Sequence, residues 1–193
     1  MPSIIPRFEN DIFISYRHND NRSGWVTEFV KALQEELSAT IKEPISVYFD
    51  SNPHDGLLET HNVDKSLEGK LKCLIFIPIL SQTYCDPKSF AWQHEFVAFK
   101  NLAKEDQFGR DIKLINGNVA SRILPIKIHD LDAEDKATIE NEIGGVLRAI
   151  EFIYKEPGVN RPLKPSDDRT LKVANAIKEI INALKNPSPP PTG

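Results

Sequence analysis

The chain has 193 residues, 40% hydrophobic and 27% charged, with 24 Lys and Arg against 28 Asp and Glu. That is the make-up of one globular core, and a mild acidic excess without a basic stripe argues against a nucleic-acid partner. The longest apolar run, Cys73 to Leu80, falls far short of the ~20 residues a membrane helix needs, so no membrane partner is expected.

Residues 1–8 read as an N-terminal extension. Met1-Pro2-Ser3-Ile4-Ile5-Pro6 is broken by proline and runs at once into Arg7 and Glu9, unlike a secretory signal, which points to the cytoplasm. Residues 9–185 carry the periodic pattern of a single domain. It opens with the β-branched and aromatic run Asp11-Ile12-Phe13-Ile14-Ser15-Tyr16, a strand followed by the turn-rich Arg17-His18-Asn19-Asp20-Asn21. Trp25, Phe29, Leu33 and Leu37 then recur every four residues between Glu28, Lys31, Glu35 and Glu36, an amphipathic helix with Ser23 as its expected N-cap.

A second strand, Ile45-Ser46-Val47-Tyr48-Phe49, opens at Asp50 into Ser51-Asn52-Pro53-His54-Asp55-Gly56, a dense cluster of turn residues. Val63, Leu67 and Leu71 mark a short helix. The continuous apolar run Cys73-Leu74-Ile75-Phe76-Ile77-Pro78-Ile79-Leu80 reads as a central parallel strand buried on both faces. Pro78 belongs near its end, because proline donates no ladder hydrogen bond. After a turn over residues 81–88, the pattern Phe90, Trp92, Phe96, Val97, Phe99 and Leu102 predicts a largely buried helix around Glu95.

Residues 123–128 read as a fourth strand, residues 134–150 as irregular to helical with a Gly144-Gly145 break, and residues 151–154 as a fifth strand. Leu171, Ala174, Ile177, Ile181 and Leu184 close the domain with an amphipathic helix. Strands alternating with helices, without hairpin turns between them, predict an α/β, flavodoxin-like three-layer sandwich with a parallel sheet of about five strands. Ligands bind such sheets outside the carboxyl ends of the strands, so the loops from Arg17, Asp50 and Ser81 are expected to share one cleft. The tail, residues 186–193, holds Pro187, Pro189, Pro190 and Pro191. It reads as an extended linker, and the natural protein is expected to continue beyond it.

Two cysteines, Cys73 and Cys85, make neither a disulfide framework nor a CxxC pair. The five histidines show no HxH or HxxxH spacing, so no metal is expected. There is no GxGxxG or GxxxxGK[ST] run to cradle the phosphates of a resident cofactor.

The opening box Asp11-Ile12-Phe13-Ile14-Ser15-Tyr16-Arg17 resembles the first box of TIR domains. So do Asp50 with its long loop, Ile79-Leu80-Ser81-Gln82-Thr83-Tyr84 after the third strand, and Ser89-Phe90-Ala91-Trp92-Gln93-His94-Glu95. The resemblance spans roughly residues 9–184 and is closest to TIR domains of bacterial defence and signalling proteins, many of which are NAD⁺ hydrolases or cyclases. Where family members often carry Trp-Cys-x-x-Glu, Trp92 here stands at the cysteine position and Glu95 at the glutamate. The resemblance implies Glu95 as catalytic carboxylate, with Tyr16, Arg17, Asp50, Ser81 and Trp92 as substrate contacts. NAD⁺ is then substrate rather than cofactor, and other copies of the domain are partners.

One carboxylate suffices for that chemistry. Nicotinamide on ribose is a pyridinium, so it departs neutral without a general acid, and the charge to be stabilised is the oxocarbenium ion that develops on the sugar. Two other readings remain. The chain could be a TIR interaction module that associates through residues 51–62, or a receiver-like domain phosphorylated at Asp50. The second lacks the acidic pair for Mg²⁺, since Ser15-Tyr16-Arg17-His18 offers no carboxylate.

Overall fold

The computed structural model describes residues 3–21, 23–49, 69–89, 91–145, 147–154, 156, 158 and 161–186. Its first strand, β1 (Asn10–Ser15), is buried from Asp11 onward because alternate side chains face two different helical layers. Ile12 and Ile14 join a cluster with Phe29, Leu33 and Leu37 of α1 (Trp25–Thr40) and with Val173, Ile177 and Ile181 of the closing helix. Phe13 points the other way, into a cluster with Phe76, Phe96 and Phe99. β3 (Cys73–Leu80) is buried at all eight positions for the same reason. Ile75, Ile77 and Ile79 serve the first cluster, Phe76 and Leu80 the second.

These strands form a five-stranded parallel sheet in the order β2-β1-β3-β6-β7. β2 is Val47–Phe49, β6 is Ile126–Lys127 and β7 is Ile150–Glu151. The order is flavodoxin-like, with its topological switch between β1 and β3. β3 holds the central place expected for an unbroken apolar run, and Pro78 stands opposite Ser15 where the β1 ladder ends. Among the described residues, three further α-helices complete the layers: α2 (Val97–Glu105), α3 (Ala133–Ile143) and α4 (Arg169–Lys185). α3 ends at Gly144, whose φ of 71° is the left-handed cap that a glycine takes most readily.

Four expectations need correction. The chain does contain a hairpin: β4 (Asp111–Lys113) pairs antiparallel with β5 (Val119–Ser121) around Asn116-Gly117, where Gly117 has φ 92°, and that Asn-Gly signal was legible. The fourth strand is only Ile126–Lys127, since Pro125 supplies no ladder donor. The fifth strand begins a residue earlier than expected and ends at Glu151. Ser23 does not cap α1. Gly24 takes that position, and the side chain of Asn21 accepts the N–H groups of Val26 and Thr27 at 2.9 and 3.2 Å.

Asp50, residues 51–62, Val63, Leu67 and the tail from residue 187 lie outside the described residues. Among the described residues, no helix is long and apolar enough to cross a membrane.

Candidate functional site

The carboxyl ends of β1 and β3, on either side of the switch, gather most of the polar side chains the sequence singled out. Glu95 reaches this point from the helix that follows β3. Ser89 starts that helix as a cap, its Oγ accepting the N–H of Trp92 at 3.2 Å. The first turns, Ala91–Phe96, are π-helical and lead directly into α2. In an α-helix, positions three apart lie nearly on one face; a wider turn opens that angle. Trp92 can therefore stack on Phe96, with ring centroids 4.8 Å apart, while Glu95 turns toward β1.

Glu95 is 6% exposed. Ser15, the last residue of β1, donates its hydroxyl to Glu95 Oε1 at 2.7 Å, and Ser15 Oγ lies 2.7 Å from the hydroxyl of Tyr84 in the turn after β3. Ser15 and Tyr84 have no exposed surface. Since a hydroxyl has one proton and that of Ser15 goes to Glu95, Tyr84 must donate to Ser15. Burial first, and then the negative charge of Glu95, hold the Tyr84 phenol well above its ordinary value of 10.0, so it stays protonated and a donor. The signals for Ser15 and Tyr84 were present in the two quoted boxes, but nothing in a strand-end serine or a turn tyrosine announces a partner 80 or 69 residues away.

A second polar group adjoins the first. Arg17 Nη1 donates to the carbonyl of Thr83 at 3.0 Å and lies 4.0 Å from Asp86, which ties the loop after β1 to the turn after β3. Ser81 donates a short hydrogen bond to Asp20, which lies in the 3-10 turn His18–Asn21. Burial raises Asp20 above its ordinary value of 3.8, against the lowering effects of Ser81, His129 and Arg17. His129, which follows β6, is lowered by its own burial, with Asp20 opposing, and its Nδ1 is buried without a partner. Thus the loops from Arg17 and Ser81 do meet, while Asp50 lies outside the described residues.

The remaining assigned positions fall as follows. Tyr16 is buried, its ring tilted against Phe49 at 6.3 Å. Trp92 is a core residue, 6% exposed, between Phe96 and the edge of Tyr84; a tryptophan at helical spacing from a phenylalanine packs this way because of its large apolar area. Among the described residues, no three His, Cys, Asp or Glu side chains gather as a metal site. Cys85 is buried, and that burial pushes its thiol up to about 12, which leaves it unreactive.

No family model matches the chain, and no curated protein matches it. Among solved structures it is similar to the TIR domains of the activated Roq1 resistosome directly recognizing the pathogen effector XopQ. The identity is 14%, over 90% of this chain and 84% of that one, with a TM-score of 0.39. The fold assignment rests on the strand order, not on that likeness.

Proposed function

We propose that this is a TIR-type NAD⁺ glycohydrolase or cyclase, cleaving the nicotinamide–ribose bond to give nicotinamide and ADP-ribose or a cyclic ADP-ribose isomer. The observation that carries the reading is the burial of Glu95 beside the switch point with a hydroxyl donated to its carboxylate. A buried charge is costly unless hydrogen-bonded, and a fixed, partly dehydrated carboxylate is what an oxocarbenium ion needs. The TIR-like boxes supply the choice of substrate. In this reading Arg17 holds phosphate, Tyr16 and Trp92 back the cleft wall, and Asp50 and Ser81 contact the loop side of the dinucleotide. NAD⁺ is the substrate, no cofactor takes part, and copies of the domain associate to complete the site, as in cytoplasmic antiphage defence signalling.

The test is chromatography of NAD⁺ incubated with concentrated protein. Wild type is expected to release nicotinamide. Glu95→Gln keeps the shape and loses the charge, so turnover should fall ~10²-fold or more with an unchanged circular dichroism spectrum. Near wild-type turnover in a folded Glu95→Gln variant overturns the assignment. If concentrated wild type releases no nicotinamide, the non-catalytic interaction module becomes the better account.

A further inference from the structure

We infer that Tyr84 is a positioning residue for the Glu95 carboxylate, acting in series through the Ser15 hydroxyl. The inference rests on the function proposed above for its catalytic consequence, but its geometry is independent of substrate.

The end of β1, the turn after β3 and the helix that follows that turn converge here through two hydrogen bonds of 2.7 Å. Both hydroxyl-bearing residues are fully buried, so water cannot replace either hydroxyl. A serine hydroxyl alone is a rotor able to turn toward any nearby acceptor. With the Tyr84 proton directed at its lone pair, the Ser15 hydroxyl has one favourable direction left, toward Glu95. Donation into Ser15 also polarises its O–H and strengthens the second bond.

The Tyr84 ring is itself held in place, edge-on to Trp92 and to Phe96 with centroids 6.5 Å away in each case. The titratable groups facing its hydroxyl are Glu95 and Cys85, and Cys85 is kept as a neutral thiol by burial. Among the described residues, the phenol therefore faces no charged group besides the carboxylate it serves. Trp92 and Phe96 flank Glu95 on the same helical turns, so packing at the ring and aim at the carboxylate are set by one element.

A series arrangement makes a specific claim. If Tyr84 acts only through Ser15, its removal weakens the stabilisation of ionised Glu95, removal of Ser15 weakens it more, and removal of both does no more than removal of Ser15. A purely structural role for either residue would change stability without ordering the titration in this way.

The experiment is a ¹³C NMR titration of protein labelled at the glutamate carboxyl carbons, with the Glu95 resonance assigned by its absence in Glu95→Gln. Tyr84→Phe, Ser15→Ala and the double variant are compared with wild type. The Glu95 midpoint is expected to rise by roughly half a pH unit or more in Tyr84→Phe and further in Ser15→Ala, with the double variant equal to Ser15→Ala. The acid limb of the pH–kcat profile for NAD⁺ cleavage should move with those midpoints while KM stays constant. Should Ser15→Ala fail to fold, Ser15→Cys, a weaker donor of similar shape, takes its place. Midpoints that coincide with wild type overturn the inference, as does a double variant whose shift is the sum of the two. Failure of the proposed function appears separately, as absent cleavage in wild type or retained cleavage in Glu95→Gln, and leaves the NMR comparison decisive for the relay.

Discussion

Replacing Arg122 with methionine should be among the most damaging single changes this fold can suffer. The side chain is wholly buried. Its guanidinium donates to the carbonyls of Leu74 at 2.8 Å, Cys73 at 2.9 Å and Gly109 at 2.9 Å, and to both carboxylate oxygens of Asp106 at 2.8 Å. Phe8, Phe99 and Phe108 surround it with ring centroids 5.6 to 5.7 Å away. Methionine fills similar volume but leaves Asp106 without its counter-charge and strands those acceptors.

Removing one partner of a buried ion pair costs about 3–5 kcal/mol. The Asp106 side chain is 26% exposed, so water can recover part of its solvation, and we place the loss near the lower end, about 3 kcal/mol. Against a typical domain stability of about 5–15 kcal/mol, that lowers Tm by roughly 6–12 °C. Asp106→Asn should cost at least as much, because it abandons the guanidinium in the interior. Arg122→Met with Asp106→Asn should cost less than the sum, since the second change removes the orphan the first creates. Urea unfolding followed by circular dichroism measures all three. A single Arg122→Met variant within about 0.5 kcal/mol of wild type at unchanged m, or strictly additive losses, would refute the reasoning.

His129 and Asp20 give stability opposite pH dependences. Because burial lowers His129 below 6.5, its contribution is present above pH 6.5 and is lost as pH falls toward the folded value, so His129→Gln should flatten the fall in urea midpoint on mild acidification; an unchanged slope counts against it. Asp20, raised above 3.8, binds its proton more readily when folded, so its ionisation costs stability as pH rises through the folded value, and Asp20→Asn should raise the midpoint at neutral pH; a lower midpoint there refutes it. If association completes the cleft, specific activity should rise with protein concentration, and Asp55→Lys should lower it with Tm unchanged. Light scattering that finds a monomer throughout, with constant specific activity over the same dilution series, rules that out.

Period and composition were strong guides wherever a face had to be buried. The four-residue recurrence of Trp25, Phe29, Leu33 and Leu37 became α1, and the unbroken apolar run at Cys73 became the central strand. Glu95 was legible only through its box, since helical glutamates are ordinarily solvated. Arg122 left no trace in the pattern, because a lone arginine beside Ser121 and Ile123 reads as surface until its acceptors come together from Leu74, Asp106 and Gly109. Ser15 and Tyr84 share that difficulty: their value lies in contacts across the sheet, which no local window contains. The Asn21 cap was missed because its acceptor oxygen lies several residues ahead of the helix rather than at its first residue.

The π-helical turn bears on how this chain tolerates changes in length. Deleting one residue from an ordinary α-helix rotates everything beyond the cut by about 100°, which here would carry either the Ser89 cap or the packed Phe96 and Phe99 out of register. A π turn already holds one residue more than an α turn requires. Loss of the exposed Gln93 would close it to an α turn with both flanks still in place. Trp92 and Glu95 would then stand two α-helical positions apart, about 160° around the axis, which changes the aim of the carboxylate relative to the Trp92–Phe96 stack. A single-codon deletion here should therefore disturb the Ser15–Glu95 contact while sparing the core.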